Sequence, residues 1–410
     1  MRFIHIADVH FDIPFTTLAG KDNLANERRL EQREVFKKVT EYIKENKIPY
    51  LFISGDLYEQ EYVKESTIEF INNLFSTILE TKIFIAPGNH DPLLKNSFYN
   101  NFKWSNNVTI FNENIKTIEL EEADIYGFGF SDFYCSNSKI EEIKIKNKEK
   151  INILIAHGAL DASKTIDMQY NPIKTNKLKQ IGFDYVALGH IHKANYLNNE
   201  NNFIYPGSLI YFGFDELGEH GMLDVEINKN KLNNEENNKI KINNLNYEEN
   251  NDKNEINNLN YEENNNKNKL INLNNGKIKN NYLNNKKIKF IKLDNRIFEE
   301  KNLDISTTNS EEELIEKINN LDLEENKSYK IVLTGYKKIE ISLSKIKKLI
   351  AKKNVIKIKD ESKIEYDIEF LSKQNNLKGI YLRKIISKKE EGIYTEEEMQ
   401  KAIEMCLSLF

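Results

Sequence analysis

The chain has few of the features that mark secreted or membrane proteins. Its 410 residues include only two cysteines, Cys135 and Cys406, which are too few and too far apart to suggest a disulfide framework. No apolar run approaches the length of a membrane span, and the first residues predict a β-strand rather than a signal peptide. These absences predict a cytoplasmic protein that does not act at a membrane.

An excess of positive charge is also missing. The net charge is −5, so the protein as a whole is not a basic nucleic-acid binder, and any affinity for DNA must come from local patches or bound metals. Hydrophobic residues make up 39% of the chain and aromatic residues 10%, which is enough for a proper core. The length of 410 residues predicts two or three domains.

Five short polar motifs each follow an apolar run that predicts a buried strand. The motifs are Asp8-Val9-His10, Gly55-Asp56, Gly88-Asn89-His90-Asp91, His157-Gly158 and Gly189-His190-Ile191-His192. The strands before them are predicted at residues 3–7, 50–54, 82–87, 151–156 and 185–188, with amphipathic helices at 27–45 and 63–79. Because ligands at the carboxyl ends of such strands meet at one rim, these side chains are expected to converge.

The residue types in these motifs are those of a two-metal phosphoesterase site. Two divalent ions about 3.5 to 4 Å apart need a bridging carboxylate with several neutral imidazoles and oxygen donors. Asp56 is the natural bridge, and a water between the ions would attack phosphorus in line. His90 is left to protonate the departing alkoxide. The other donors form one set for each ion: Asp8, His10 and His192, and Asn89, His157 and His190.

Each motif alone is weak evidence, since an Asp-x-His or Gly-Asp at a strand end is usually only a turn or a cap. The set is stronger, because five of the seven histidines of the chain fall inside these motifs. The other two, His5 and His220, are interpreted as a strand residue packed near the sheet and a turn residue before a strand.

These residues resemble the calcineurin-like metallophosphoesterases, and within them the SbcD-type DNA repair nucleases. The resemblance runs from residue 1 to about residue 225 and includes more specific stretches: Asp8-Val9-His10-Phe11-Asp12-Ile13-Pro14-Phe15, Gly189-His190-Ile191-His192-Lys193, Tyr205-Pro206-Gly207-Ser208 and Phe214-Asp215-Glu216. It implies a manganese-dependent nuclease, a capping domain after the catalytic domain, and partnership with an SbcC-type coiled-coil ATPase. A homodimer is a further assembly that this interpretation allows.

The chain departs from the family at Glu59, where the nucleases usually carry a second active-site histidine three residues after the bridging aspartate. A carboxylate there should repel phosphate unless it is turned away. Alternatively, Glu59 hydrogen-bonds to His90 and raises its pKa. The metal ligands are intact, which favours a retained hydrolase over an inactive scaffold.

The predicted fold is a four-layer α/β/β/α metallophosphoesterase sandwich, residues 1–227, followed by a small α/β capping domain, 287–366, and a partly helical segment, 367–410. Between them, residues 228–286 are almost pure Asn, Lys, Glu, Ile and Leu and contain a tandem duplication, so this insertion is predicted to be disordered. Its removal would join strands at 222–227 and 288–293 as a hairpin. No function of the insertion is required by the sequence.

The capping domain carries a lysine-rich stretch. Nine lysines and a single acid lie between Lys337 and Lys359, within a predicted strand, helix and strand. One interpretation is a phosphate-facing surface, with Lys345, Lys348 and Lys352 as substrate-binding residues; the other is a solvated helix. The last helix presents one apolar face, which packs on its own domain or binds a partner.

The sequence therefore predicts a metal-dependent DNA phosphodiester hydrolase of DNA repair, with two divalent ions. Mixed histidine, asparagine and carboxylate ligation suits manganese or iron better than magnesium. Three alternatives stay open. They are a phosphodiesterase acting on small nucleotides, a protein phosphatase, which lacks support because Leu57-Tyr58-Glu59-Gln60 carries no arginine, and a DNA-binding scaffold without turnover.

Overall fold

The computed structural model describes most of the chain in two compact units, Met1–Phe298 and Glu299–Phe410. The described residues are 1–18, 24–162, 169–195, 202–214, 216, 218–229, 278–283, 286–294, 296–325, 327–352 and 354–407. Each unit has its own hydrophobic core, and each is described by itself below.

The first unit alternates strands and helices along the chain. Its elements are β1 (Arg2–Ile6), α1 (Leu24–Glu45), β2 (Tyr50–Ile53), α2 (Glu65–Ser76), β3 (Lys82–Ile85), α3 (Phe98–Asn101), β4 (Val108–Ile110), β5 (Lys116–Glu119), β6 (Ala123–Phe128), β7 (Ile151–His157), α4 (Thr175–Ile181), β8 (Tyr185–Gly189), β9 (Phe203–Ile204), β10 (Gly221–Ile227), β11 (Ile278–Leu283) and β12 (Lys286–Lys292).

Two sheets form from these strands. The seven-stranded sheet has the order β11-β12-β10-β1-β2-β3-β4, and the five-stranded sheet has the order β5-β6-β7-β8-β9. Within the first sheet β1, β2, β3 and β4 run parallel, and within the second β6, β7, β8 and β9 run parallel. Within each sheet, the strands that precede the five polar motifs are therefore parallel neighbours, whose carboxyl ends share an edge.

The two sheets pack face to face through one buried cluster. It contains Phe3, Phe52 and Phe84 from the first sheet and Ile153 and Ile155 from the second. Because side chains alternate along a strand, the neighbours of these residues point outward and must also be covered. Helices cover them on both outer faces, which gives the predicted four-layer α/β/β/α arrangement.

The outer layers are built by amphipathic helices. In α1 the buried apolar residues recur at helical spacing, and Phe36 meets Phe75 of α2 with ring centroids 6.0 Å apart. On the second sheet, Leu178 of α4 joins Leu154 and Val186 in a separate buried cluster. Both predicted helices, at 27–45 and 63–79, are therefore present, although α2 is shorter at each end.

The hairpin expected from removal of the insertion is confirmed. Strand β10 pairs antiparallel with β12, and Ile227 lies opposite Lys286. This pairing places residues 286–292 in the sheet of the first unit, so the predicted start of the capping domain at residue 287 is wrong. The second unit begins at Glu299 instead.

The prediction of disorder for residues 228–286 is wrong at its C-terminal end, where β11 (Ile278–Leu283) pairs antiparallel with β12. The backbone groups on the outer edge of β12 need hydrogen-bond partners, and a neighbouring segment of almost any composition can supply them. Residues 230–277 lie outside the described residues.

The second unit is a small α/β domain with helices at its C-terminal end. Its elements are β13 (Ile297–Asp304), which begins at the boundary, α5 (Glu311–Asn319), β14 (Lys327–Thr334), β15 (Tyr336–Lys337), α6 (Leu343–Leu349), β16 (Val355–Asp360), β17 (Lys363–Ile364), α7 (Ile368–Ser372), α8 (Leu377–Glu390) and α9 (Glu396–Leu407). The main sheet has the order β13-β14-β16.

The last helix packs within its own unit. Thr395 and Glu398 form the predicted capping box, since each side chain accepts a hydrogen bond from the other's backbone N–H. Ile403 and Leu407 of α9 are buried with Leu382 and Ile385 of α8. Of the two interpretations of this face, packing on its own domain is therefore the one observed.

Among the described residues, no helix is long and apolar enough to cross a membrane.

Candidate metal centre

The five motifs lie at the carboxyl ends of strands in the two sheets. Asp8 and His10 follow β1, Asp56 follows β2, and Asn89 and His90 follow β3. On the second sheet, His157 ends β7 and His190 and His192 follow β8. In the first sheet Ile6 pairs with Ile53 and Ile53 with Ile85, so the three strands end level with one another. The parallel register alone thus delivers polar side chains to one place.

The turns after the strands are held in an unusual backbone conformation. Four site residues have positive φ angles: Asp8 (50°), His10 (51°), Asp56 (54°) and His190 (103°). Non-glycine residues rarely adopt this conformation, and it is concentrated at functional sites where surrounding contacts hold it. Here the Asp8 N–H donates to the Gly55 carbonyl and the His10 N–H to the Asp56 carbonyl, at 3.1 and 2.8 Å.

Asp91 fixes two of these turns to each other. Its carboxylate accepts hydrogen bonds from the backbone N–H groups of Asp56, Leu57 and Gly88, at 3.0, 2.6 and 2.6 Å. The Tyr99 hydroxyl donates to the same carboxylate. In the sequence, Asp91 was recognised only as the last residue of its motif, with no role. Its role is to position the turns that carry Asp56 and His90.

Glycines are required beside the site because histidine and aspartate side chains fill the space where a Cβ would lie. A Cβ on Gly55 would collide with the His157 ring, and Gly55 also has a φ of +87°. A Cβ on Gly88 would collide with the Asp56 carboxylate. Gly55 and Gly88 therefore permit the close approach of a polar side chain from another strand.

Asp8 and Asp56 are two buried carboxylates at the centre of the site, with 0% and 2% of their surface exposed. In the described part of the chain, all ion pairs of Asp8 and Asp56 are with histidines. His157 Nε2 lies 3.3 Å and His10 Nε2 3.6 Å from Asp56 Oδ2, and His192 Nε2 lies 3.9 Å from Asp8 Oδ1. Two buried acids without a lysine or arginine partner are costly unless a cation neutralises them.

The donors assemble into overlapping groups that can hold metal. Asp8, His10 and His192 form one group, Asp8, Asp56 and His157 a second, and His10, Asp56 and His90 a third, each with ligand atoms within 4.8 Å of one another. His10 Nε2 and His192 Nε2 face each other at 3.2 Å. Adjacent donors around an ion bound at about 2.1 Å are separated by about 3 Å, so this spacing fits a shared ion.

Asn89 joins the second group. Its side-chain oxygen lies 3.0 Å from His157 Nε2, while His157 Nδ1 donates to the Ser54 carbonyl at 3.0 Å. That second hydrogen bond fixes the tautomer and leaves Nε2 with a lone pair for a metal. Burial lowers the pKa of His157, although Asp56 acts in the opposite direction, so the ring is held neutral.

His190 is next to these groups rather than inside them. Its ring centroid lies 5.3 Å from that of His157 and 5.2 Å from that of Tyr170, and its backbone N–H donates to Asp8 Oδ1 at 2.9 Å. Burial, followed by repulsion from His157, lowers its pKa to about 4. A neutral imidazole of this kind is suited to metal ligation. Its predicted place in the second set of ligands stays a prediction.

Glu59 connects His10 and His90. His10 Nδ1 lies 2.7 Å from one carboxylate oxygen of Glu59, and His90 Nδ1 lies 2.9 Å from the other. Both carboxylate oxygens of Glu59 are thus hydrogen-bonded to imidazoles. This arrangement matches the alternative interpretation of Glu59, in which it hydrogen-bonds to His90 and raises the pKa of His90. Burial alone lowers the pKa of His90, but the hydrogen bond to Glu59 and the charge of Asp56 raise it to about 9.

Glu216 and Phe212 are functional neighbours whose roles were not expected from the sequence. His192 Nδ1 is hydrogen-bonded to Glu216 Oε1, as His10 is to Glu59. The Phe212 ring packs against the rings of His10 and His192, with centroids 5.2 and 5.4 Å away. Glu216 lies in the stretch Phe214-Asp215-Glu216, and the family resemblance of that stretch was the sequence feature that could have indicated a role for Glu216.

The two carboxylates differ in how readily they ionise. Burial raises the pKa of Asp8; Asp56 adds to this effect, while His192 opposes it. Burial also raises the pKa of Asp56, but His157, His10 and His90 outweigh it and hold that pKa well below its usual range. Asp56 is therefore the more acidic of the two carboxyl groups at the centre of the donor set.

The two histidines outside the motifs have structural surroundings. His5 is buried, with hydrogen bonds to Tyr185 Oη and Ser54 Oγ at 2.9 and 3.0 Å. His220 Nδ1 lies 2.8 Å from Ser208 Oγ, and it is buried just before β10. Neither residue contributes to the candidate metal groups of the described chain.

The lysines proposed for substrate binding belong to the second unit. Lys345 and Lys348 are exposed on α6, and Lys352 follows that helix. Lys345 forms an ion pair with Glu311 at 2.6 Å. The role of these three lysines in substrate binding stays a prediction.

Comparison with known proteins gives two kinds of match. Residues 1–194 match the family model described as calcineurin-like phosphoesterase. The chain is 27% identical over 246 residues to an uncharacterized metallophosphoesterase, YhaO, of Bacillus subtilis. The aligned region covers 57% of this chain and 59% of that protein. It is 27% identical over 272 residues to the SbcD component of the nuclease SbcCD of Staphylococcus epidermidis, covering 57% and 68% respectively. The match therefore spans less than two thirds of the first relative.

Proposed function

We propose that this chain, whose residues 1–194 match the calcineurin-like phosphoesterase family, is a hydrolase that cleaves phosphodiester bonds in DNA with two divalent metal ions. Phosphoester hydrolysis at a site able to bind divalent metals is supported by the family match and by the donor groups. The choice of DNA as substrate, of manganese and of nuclease activity is the proposal.

The observation that carries the proposal is the pair of buried carboxylates, Asp8 and Asp56, surrounded by imidazoles and an amide oxygen. Asp56 lies between donors from both sheets, since it is close to His10 on one side and to His157 on the other. We assign Asp8, His10, Asp56 and His192 to one ion. Asp56, Asn89, His157 and His190 are assigned to the other.

Two ions bound there would supply an activated water for in-line attack on phosphorus and would neutralise the charge of the phosphate. The chain's own contribution is to fix the donors and to handle the proton of the leaving group. His90 Nδ1 is hydrogen-bonded to Glu59, which leaves Nε2 as the nitrogen that would contact a substrate. Because the hydrogen bond to Glu59 and the charge of Asp56 raise the pKa of His90 to about 9, His90 is suited to donate a proton to the departing alkoxide oxygen.

Manganese is the proposed ion because the donor set mixes imidazole nitrogen with carboxylate and amide oxygen. Magnesium prefers oxygen ligands and retained waters, whereas a site with several histidines suits manganese or iron. The hydrogen bonds that His10 donates to Glu59 and that His192 donates to Glu216 strengthen this fit, since such outer partners orient metal-binding imidazoles.

A role in DNA repair with an SbcC-type coiled-coil ATPase is part of the same proposal. It is supported by the similarity to a protein named as a component of the nuclease SbcCD. The similarity covers 57% of this chain, so the partner is proposed from the relative rather than from a surface of this chain.

The test is hydrolysis by the purified full chain in manganese. End-labelled single- and double-stranded DNA and the small diester bis-p-nitrophenyl phosphate would be offered separately, with Asp56→Asn as the inactive control and Asp132→Asn, at an exposed aspartate, as the matched control. We expect cleavage of DNA and of the diester by the wild type and by Asp132→Asn, and neither by Asp56→Asn.

Hydrolysis of the small diester without any cleavage of DNA, alone or with an added SbcC-type ATPase, would contradict the nuclease proposal. That result would favour a phosphodiesterase acting on small nucleotides. Binding of DNA without hydrolysis of either substrate would favour a non-catalytic scaffold.

A further inference from the structure

A buried ion pair in the first unit lies outside the donor groups of the metal centre. Arg28 on α1 faces Asp294, which follows β12, and their side chains are 0% and 2% exposed. Glu31 is partly exposed and pairs with both Arg28 and Arg296, at 2.6 and 2.5 Å. A buried pair of charges is weak evidence for stability, because apolar residues of similar volume often stabilise a fold as well. The other contacts of the pair therefore indicate its role.

Both members of the pair bind the backbone of Tyr211. The Tyr211 carbonyl accepts hydrogen bonds from Arg28 Nε and Nη2, at 3.2 and 2.9 Å. The Tyr211 N–H donates to Asp294 Oδ2 at 2.9 Å. Two buried backbone groups, which would be costly to leave without partners, are thus satisfied by opposite ends of one ion pair. These bonds fix the position of the residue that precedes Phe212.

Tyr211 belongs to the segment 208–220, which reaches the metal centre; residues 208–214, 216 and 218–220 of it are described. The Phe212 ring packs against the ring of His192, with centroids 5.4 Å apart. Glu216 Oε1 accepts a hydrogen bond from His192 Nδ1. The ion pair and the metal ligand His192 are therefore joined through this one segment.

Hydrogen bonds within the segment connect Tyr211 to Glu216. The Tyr211 hydroxyl donates to the Gly218 carbonyl, and its ring packs on the ring of His220, with centroids 3.9 Å apart. His220 Nε2 in turn donates to the Glu216 carbonyl at 2.8 Å. A displacement of Tyr211 would therefore also displace the carboxylate that orients His192.

Helix α1 contacts a second loop of the metal centre through Gln32. Its Nε2 donates to the carbonyls of Val9 and His10, at 2.5 and 3.1 Å. Because residues four apart lie on one face of a helix, Gln32 and Arg28 are neighbours on the buried face of α1. This face of the helix thus holds both the loop that carries His10 and the segment that orients His192.

The other set of donors has different supports. His157 is held by hydrogen bonds with the Ser54 carbonyl and with the Asn171 amide, at 3.0 and 2.7 Å. In the described part of the chain, the hydrogen bonds of Arg28, Gln32 and Asp294 do not involve this second set. The two proposed metal positions are therefore supported by separate parts of the first unit.

We propose that Arg28, Gln32 and Asp294 are positioning residues for one of the two metal ions, the one assigned to Asp8, His10 and His192. They act on the backbone of the loops rather than on the ion, and they leave the ion assigned to Asn89, His157 and His190 unaffected. The inference rests on the proposed two-metal function and deepens it, because it gives the two ions different structural requirements.

The test replaces the ion pair with apolar residues, Arg28→Met with Asp294→Leu, in the full chain. Such replacements often leave stability unchanged or raise it. The matched control makes the same two changes, Arg2→Met with Asp224→Leu, at an ion pair of 2.6 Å that joins β10 to the end of β1 away from Asp8. Neither double variant changes the net charge. A third variant, Gln32→Leu, removes the hydrogen bonds to the loop of His10.

Three measurements separate positioning from a general loss of structure. Titration calorimetry with manganese gives the affinity of each ion. Electron paramagnetic resonance distinguishes a coupled pair of manganese ions from an isolated one. Amide hydrogen exchange in EDTA reports on residues 208–214 without any metal. Hydrolysis of bis-p-nitrophenyl phosphate would be followed across a manganese series.

We expect the wild type and Arg2→Met/Asp224→Leu to bind two ions with equal affinities. Arg28→Met/Asp294→Leu should bind one ion about tenfold more weakly and the other as the wild type does, because lost outer partners weaken metal sites by about 10- to 100-fold. Its resonance spectrum at limiting manganese should be that of an isolated ion, and excess manganese should restore hydrolysis. Exchange at residues 208–214 should be faster than in the control.

Equal weakening of both ions, or weakening of neither, would overturn the inference. If Arg28→Met/Asp294→Leu does not fold, Gln32→Leu decides, because it should weaken the same single ion, and wild-type affinity for both ions would overturn the inference. If the wild type binds fewer than two ions, the proposed two-metal function fails. Hydrogen exchange in EDTA then decides separately, and equal exchange at residues 208–214 in the two double variants would overturn the positioning role.

Discussion

Two regions of this chain are rich in polar groups suited to phosphate chemistry, and they have different fates in the structure. At the metal centre, residues from five strand ends come together, and the two central carboxylates are buried with only histidines beside them in the described ion pairs. In the lysine-rich stretch of the second unit, the cations stay near the surface and several are neutralised. Lys337 pairs with Asp360, Lys345 with Glu311 and Lys359 with Glu361.

The difference shows how far a local pattern can be trusted. The single acid within the lysine stretch, Glu340, suggested an unbalanced positive surface. The balancing acids come from outside the stretch, from α5 and from the residues at and after the end of β16. At the metal centre the reverse holds, because the sequence offers lysines and arginines in quantity and the fold brings none of them to Asp8 or Asp56 in the described ion pairs. Charge left uncompensated after folding is the better indicator of a site.

The largest expected effect comes from Asp56→Asn. Asp56 is shared by both sets of donors, so its neutral replacement should reduce bound manganese from two ions per chain to none after equilibrium dialysis. The measurement is metal analysis by mass spectrometry, with Asp132→Asn carried through as the control. Two ions retained by Asp56→Asn would show that Asp56 does not bridge.

His90→Ala should have the next largest effect, and it should depend on the leaving group. A general acid contributes about 10²- to 10⁴-fold when the leaving group is poor and little when it is activated. DNA cleavage should therefore fall by about that factor, while hydrolysis of bis-p-nitrophenyl phosphate should fall much less. Equal losses on both substrates, with two ions still bound, would assign His90 to phosphate binding instead.

Glu59→Gln should have an intermediate effect, because it keeps the size of the side chain and removes the charge that holds His10 and His90. Loss of such an outer partner typically weakens metal binding about 10- to 100-fold. Manganese affinity, measured by titration calorimetry, should fall by about that factor. Glu61→Gln, two residues along and exposed, should match the wild type.

Glu59→His gives a related contrast. The family pattern predicts that restoring histidine strengthens nuclease action, whereas the contacts of Glu59 predict the opposite, because an imidazole cannot accept from both His10 and His90. A faster nuclease in Glu59→His would show that the Glu59 hydrogen bonds are dispensable.

The smallest effect is expected from replacing Lys345, Lys348 and Lys352 together with glutamine. Lys345 is already paired with Glu311, and exposed charges of this kind contribute little. DNA affinity at about 0.15 M salt should change by less than about twofold. A tenfold loss would restore the interpretation of this stretch as a DNA surface and would remove the contrast between the two regions.

Much of the first unit could be predicted from the sequence, since apolar runs ending in Asp, Asn and His motifs located the strands and the site together. Ile6, Ile53 and Ile85 close strands whose ends were predicted within about two residues. The outer partners of the ligands could not be assigned in this way. Glu216 lies 24 residues from His192, and only the folded chain shows that they touch.

The sequence also could not show which domain the strand after the insertion belongs to, because that depends on pairing between residues far apart in the chain. The strand at 286–292 was recognised, and its hairpin with β10 was expected, yet it was assigned to the capping domain because it follows the insertion in sequence. The pairing of Ile227 with Lys286 across that insertion places this strand in the sheet of the first unit. Strand β11 shows the same principle, since its pairing depends on backbone groups rather than on composition.

The most direct test of the two-metal site is anomalous diffraction from crystals of the protein grown with manganese. We expect two peaks about 3.5 to 4 Å apart, one on each side of the Asp56 carboxylate. Asp8, His10 and His192 should contact one, and Asn89, His157 and His190 the other. A single peak, or two peaks that do not share Asp56, would contradict the account.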